Sequence, residues 1–265
     1  MKNLLLKIEY LGKHFCGWQI QPNAITIEGT IKEVLEKICQ CQITLKACSR
    51  TDSGVHAKGQ VATAQVPETI KLNRLFISLN ALLPENIAVT DLVEVPAEFS
   101  VRRGKKRKRY TYRIINSPIP RVFYRDTSIW KRTRLDKEKL HRAIKLFEGT
   151  HDFSAFRGKG CQQPNPVKTI YRVDLKITEE DGFEKIELMF EGSGFLKNMV
   201  RIMAGTLIDI SQGRIAESRI LKAFETGNRN DAGNTAPAKG LTLEEIIFDI
   251  DPFSKREMDA WNKTL

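Results

Sequence analysis

Two kinds of hydrophobic periodicity alternate along this chain in an order that occurs twice, and that order limits the fold more than any single residue does. Leu4, Leu6, Ile8 and Tyr10 alternate with other residues as in a strand. Ile27, Ile31, Leu35 and Ile38 then recur at helical spacing. Two short strand candidates follow, QITLKA and GQVATAQV, separated by the polar loop SRTDSGVHA. The helix candidate LNRLFISLNALL stops at Pro84, and the strand IAVTDLVEV closes the half. The second half starts with RYTYRI and continues into the helix KEKLHRAIKLFEG, with Leu140, Ile144 and Phe147 on one face and Gly149 as its stop. TIYRVDLKI and EKIELMFEG flank an Asp-Gly pair, which predicts a tight hairpin. The helices KNMVRIMAGTLIDI and SRILKAFET and the strand LTLEEIIFDI finish the chain's pattern.

Each half therefore runs β-α-β-β-α-β, the order of the ferredoxin-like unit. The expected fold is α/β (α+β), with two ferredoxin-like subdomains, residues 1–105 and 106–265. Their sheets should be mostly antiparallel, with helices on one face and a basic cleft between the halves. The sequence has 265 residues, 41% of them hydrophobic, enough for a substantial core. Forty-three Lys and Arg against 32 Asp and Glu give a formal charge of +11, which favours a polyanionic partner, nucleic acid before an anionic membrane. The first residues, MKNLLLKIEYLGK, are too charged for a signal peptide, and no run is long enough to span a bilayer. Five cysteines, an odd number, argue for a reducing compartment, and cytoplasm follows as the expectation. Cys39 and Cys41 have no downstream partners to complete a metal site, and the four histidines lack ligand spacing, so no metal and no cofactor is expected.

In the loop between the first two short strands, Asp52 is a lone carboxylate between Arg50 and His56. Loops on a rigid sheet often carry catalytic groups, and Asp equally often caps a turn; composition alone favours the cap. The run from Arg102 to Arg109 has seven basic residues in eight positions and can neutralise several phosphates. Tyr110 and Tyr112, just beyond it, share one face of a strand.

SRTDSGVHAKGQVA resembles the signature loop of the tRNA pseudouridine synthase A family. The similarity continues through YLGKHFCGWQIQP, SLNALLPENIAV, FSVRRGKKRKRYTYRI, HDFSAF, GSGFLKNMVRIMAGTL and AGNTAPAKGLTL. These seven blocks are in order from residue 10 to residue 243. Departures are small: Ser49 replaces a usual glycine, and Lys168 a common arginine.

The resemblance implies an enzyme that isomerises uridine in the anticodon stem-loop of tRNA, at positions 38, 39 and 40. The glycosidic bond breaks, the base turns, and C5 joins C1′, with no group donor and no redox step. It implies Asp52 as the catalytic carboxylate, Arg201 as its cationic neighbour and Tyr110 as the active-site tyrosine. Arg50 is implied to help the target nucleotide leave its stack, Arg102 to match a family arginine, and Phe195 and Leu196 to form the apolar wall. The family also implies a homodimer holding tRNA across both subunits. Lys105, Lys106 and Arg107 are expected to contact RNA, since the run abuts a strand in the proposed cleft. An ionised aspartate can attack C1′ or C6 or stabilise a sugar cation, and the residues do not choose among these. A non-catalytic RNA-binding module would not need the whole Arg-Thr-Asp loop, and a metal-dependent nuclease would need clustered carboxylates, whereas Asp52 has basic or small neighbours.

Overall fold

A computed structural model describes residues 1–254, apart from the side chain of Lys105; residues 255–265 lie outside it. The first half contains strand β1 (Lys2–Tyr10), helix α1 (Ile27–Cys39), β2 (Leu45–Ala47), β3 (His56–Val66), α2 (Leu72–Leu82) and β4 (Ile87–Val95). A single helical turn, α3 (Val101–Gly104), leads into the second half. There β5 (Lys105–Asn116), β6 (Ile129–Lys131), α4 (Lys137–Lys145), β7 (Gly149–Asp152), β8 (Val167–Glu180) and β9 (Phe183–Gly192) precede α5 (Met199–Ser211), α6 (Ser218–Thr226) and β10 (Leu241–Phe248).

Both halves realise the expected unit, with strand orders β4-β1-β3-β2 and β10-β5-β9-β8. Every pairing within those two units is antiparallel. Periodicity did not reveal that the two sheets are one. The start of β3 pairs in parallel with β10, His56 with Thr242 and Ala57 with Leu243, making a ten-stranded sheet over a core shared by both halves.

Local chemistry sets the element ends. Thr26 caps α1 by accepting from the Gly29 N–H at 3.2 Å, and Gln40 stops it in the left-handed region. Its fully buried stripe is Ile27, Ile31, Leu35 and Cys39, with Ile38 only half-buried. The segment QITLKA pairs only at Leu45–Ala47, because the Ile43 N–H is taken by Glu36 Oε1 at 2.9 Å. Helix α4 ends at Lys145, short of the predicted stop: Leu146, Phe147 and Glu148 bond three residues back, and Gly149, at φ 112°, opens β7. Asn198, at φ 59°, delays α5 to Met199.

The two faces of β5 differ. Tyr110, Tyr112 and Ile114 are buried beside Phe190, Leu188 and Ile186 of β9, under α4 and α5, where Phe147 meets Phe190 edge-on. Arg107, Arg109 and Arg113 occupy the other face, paired across strands with Glu191, Glu245, Glu187 and Glu244.

Candidate active site

The loop Cys48–Val55 is built from below. Gln60, fully buried on β3, clamps Ser49 at both ends, its Nε2 donating to the Ser49 carbonyl at 2.8 Å and its Oε1 accepting the Ser49 N–H at 3.3 Å. Thr51 Oγ1 bonds the Tyr10 hydroxyl at 2.8 Å, and its carbonyl accepts from the Trp18 N–H at 3.1 Å. Gly17 fits beneath at φ 89°, where a Cβ would lie 2.8 Å from the Thr51 oxygen. Ser53 Oγ and the Gly54 N–H both bond the Phe15 carbonyl. The block YLGKHFCGW is thus the floor of the loop.

This floor points Asp52 at the start of α5. The Asn198 backbone N–H donates to its carboxylate, and the partial positive charge of the helix end is directed at it. The Arg201 guanidinium is fixed by donating from Nε to the Ala236 carbonyl and from Nη1 to Asn198 Oδ1, each at 2.8 Å, and acts on Asp52 as a nearby cation. Burial is the strongest influence and holds the Asp52 pKa above the usual carboxylate range; Arg201, the Asn198 N–H and Lys197 pull it back down.

Tyr110 faces the same space. Its ring meets Phe195 edge-on with centroids 5.1 Å apart, and its hydroxyl lies 3.0 Å from Ser49 Oγ. Burial first, and then the charge of Asp52, raises its pKa, so it remains a neutral phenol. Tyr112 instead bonds the Pro237 carbonyl and packs beneath Gly240, in a structural role.

These groups line a cleft of about 1050 Å³. Asp52, Arg201, Tyr110, Arg50, Arg102, Phe195 and Leu196 all border it. Lys106 and Arg107 do not: Lys106 pairs with Asp249 at 2.8 Å, while Arg107 pairs with Glu191 and lies over the Tyr171 ring on the opposite face of β5. The Lys105 side chain lies outside the described residues. From the basic run, Arg102 and Lys108 reach the cleft. Lys108 could have been found by period two, since it shares Tyr110's face. Lys197 and Asn198, inside the block GSGFLKNMVRIMAGTL but not singled out within it, also border the cleft, as does the segment Gly160–Pro164, which no local pattern in the sequence marks.

A sequence model described as tRNA pseudouridine synthase matches residues 7–102 and 143–249. The chain is 41% identical over 248 residues to the tRNA pseudouridine synthase A of Acetivibrio thermocellus, covering 94% of this chain and 100% of that one. To the proteins of the same name from Ruminiclostridium cellulolyticum and Myxococcus xanthus it is 40% and 37% identical, over 94% and 95% of this chain and 100% and 94% of theirs. Among solved structures, a Cbf5-Nop10-Gar1 complex aligns with 89% of this chain and 56% of that chain at 11% identity; its TM-score of 0.32 is too low to carry an inference.

Proposed function

This chain belongs to the tRNA pseudouridine synthase family, and from that premise we propose that Asp52 carries the isomerisation of uridine to pseudouridine in the anticodon stem-loop of tRNA. The observation that carries this reading is that Asp52 is the one carboxylate among the described residues lining the cleft. A reaction through one carboxylate needs that group ionised in a partly dry site, and the α5 terminus and Arg201 supply the opposing charge.

The target uridine leaves its stack at a cost of a few kcal/mol, and Arg50, exposed two residues before Asp52, takes its place. Its base lies against Tyr110, Phe195 and Leu196, with C1′ facing Asp52. The carboxylate attacks C1′ or C6, or stabilises the sugar cation; the N1–C1′ bond breaks, the base turns within the slot and C5 bonds C1′. Any bond to the carboxylate is released, and the hydrogen displaced from C5 passes to solvent as N1 takes up a proton. Arg102 and Lys108 sit where flanking phosphates leave the cleft. Positions 38, 39 and 40 are the sites modified. No cofactor takes part, and two copies of the chain hold one tRNA between them in the cytoplasm. Taking residues 1–105 and 106–265 as subdomains, the site is composite: Asp52 comes from the first, Tyr110 and Arg201 from the second. Among the described residues no helix is long and apolar enough to cross a membrane.

The test is tritium release from tRNA labelled at C5 of uridine, joined to mapping of the pseudouridine formed. Wild type should release label, and replacing the uridines at 38, 39 and 40 should abolish it. Undiminished release from the replaced tRNA would move the target elsewhere, and sedimentation at the mass of a single chain would remove the dimer.

A further inference from the structure

Lys108 and Ser49 form a hydrogen-bond relay whose polarity is fixed at one end. Ser49 is 5% exposed at the edge of the cleft, and burial to this degree favours a protein acceptor for its hydroxyl proton. Its oxygen is 3.0 Å from Lys108 Nζ and 3.0 Å from the Tyr110 hydroxyl. An ammonium has donors and no lone pair, so Lys108 donates to Ser49 Oγ, as it also does to the Cys48 carbonyl at 3.1 Å. Of the two partners of Ser49 Oγ, only the Tyr110 oxygen can accept the serine proton. Two bonds from Gln60 to the Ser49 backbone hold it in place for this.

We infer that Lys108 and Ser49 act as positioning residues that orient the Tyr110 hydroxyl, so that its proton is presented to the cleft as a donor at the reacting centre. With its oxygen occupied by Ser49, Tyr110 must direct its own O–H elsewhere, and the space it borders holds Asp52 and the substrate. A phenol kept neutral by burial and by the Asp52 charge suits this donor role; a base would need the opposite shift. Lys108 lies on the same face of β5 as Tyr110, two residues away, so one strand carries both ends of the relay. A charged first donor polarises the serine and strengthens the second bond.

This inference rests on the isomerase reading, and tritium release by the wild type checks that reading separately. The test of the relay is a double-mutant cycle on Ser49→Ala and Tyr110→Phe, read as single-turnover tritium release at saturating tRNA, with tRNA affinity and melting temperature measured alongside. Ser49→Ala should slow the chemical step about tenfold with tRNA affinity unchanged, and should have no further effect in the Tyr110→Phe protein. Ser49→Thr, which keeps the hydroxyl, should restore most of the rate. Lys108→Met should slow the step in the Ser49 protein and not in the Ser49→Ala protein, whatever it does to affinity. Equal slowing by Ser49→Ala with the tyrosine hydroxyl present and with it removed by Tyr110→Phe, or a single-mutant rate within twofold of wild type, would overturn the relay.

Discussion

The connection between the second and third strands of the repeated unit differs most between the two halves. In the second half, β8 and β9 pair continuously from Arg172 and Glu191 to Glu180 and Phe183, closing on Asp181 and Gly182 with φ of 45° and 73°. In the first half, β2 pairs with β3 only between Leu45–Ala64 and Ala47–Ala62; after one last bond from the Cys48 N–H to the Val61 carbonyl, residues 49–55 run free of the ladder. One truncation has two consequences. It releases the loop that carries Asp52, and it leaves His56 and Ala57 unpaired by β2, so that β10 can bond them and fuse the two sheets. A repeated scaffold thus gains a site where one copy gives up strand pairing, and the other half supplies α5, Arg201 and Tyr110 across the seam.

The largest contrast should come from changing the aspartate in each connection. Asp52→Asn should lower the rate of tritium release by about 10³-fold or more while leaving tRNA binding intact. Asp181→Asn should leave activity within about twofold, because Asn tolerates the left-handed region. The two also differ in stability. The Asp52 pKa is raised in the folded protein, so its proton stabilises the fold at acid pH, and this contribution is lost as pH rises through the folded value. At neutral pH the ionised carboxylate is therefore a burden on the fold, and Asp52→Asn should melt slightly higher than wild type. A lower melting temperature would mean that the contacts from Asn198 and Arg201 outweigh burial.

Glycines in the two regions sharpen the same comparison. Gly182 has nothing within 4 Å of where a Cβ would stand, so Gly182→Ala should cost only the left-handed penalty, about 1 kcal/mol. Gly17 has the same backbone requirement and also the Thr51 carbonyl 2.8 Å from that Cβ. Gly17→Ala should therefore cost roughly 2 kcal/mol or more and slow turnover as well, because the displaced loop carries Asp52. Equal losses in chemical denaturation would show that the floor gives way freely.

The difference between the halves was only partly legible in the sequence. Period two and period 3.6 placed the long elements well, because burial on one face dictates both patterns; SRILKAFET is α6 to the residue. The three-residue β6 and four-residue β7 are too short to show a period, and the length of β2 depends on a side-chain bond from Glu36 that no local pattern encodes. The seam between β3 and β10 joins residues more than 180 positions apart, and only tertiary packing determines it. Within the site, the motif blocks contain most of the residues that border the cleft and also their supports, but they do not say which residue does which. Gln60 and Trp18 look like ordinary strand and loop residues until the loop is folded over them. The basic run misled in a physical way: total charge was counted, whereas three of its seven cations are spent inside the protein, Arg107 and Arg109 on Glu191 and Glu245 across the far face of β5 and Lys106 on Asp249.

That last point predicts a split within one charge run. Arg102→Ala should weaken tRNA binding and reduce the slope of log Kd against log salt by about one unit, the effect of one phosphate contact. Arg107→Ala, on the far face and already paired, should leave the slope unchanged. Identical slopes for the two variants would assign RNA to both faces of the sheet.

The smallest expected effect lies at the seam itself. His56 is buried between the halves, with Nδ1 accepting the Gly12 N–H at 3.1 Å; Nε2 therefore carries the proton and donates to the Lys239 carbonyl at 3.1 Å. Burial lowers its pKa most, with the positive charge of Arg113 adding to this, while the Lys239 and Asp126 contacts oppose it. Protonation would put a second N–H against the Gly12 donor, breaking the bond that ties the start of β3 to the segment after β1, directly beside the β3–β10 pairing. The direction of the linkage follows. An unfolded His takes up its proton near pH 6.5, and the folded one only at lower pH, so stability is full above about 6.5 and falls as pH drops toward the folded value. The measurement is a difference: melting temperature between pH 8 and pH 5 for wild type against His56→Gln. The wild type should lose a few degrees more than the variant across that window, with the loss concentrated below pH 6.5. Parallel curves would mean that the seam is held by its strand pairing alone, and that His56 contributes the same in either protonation state.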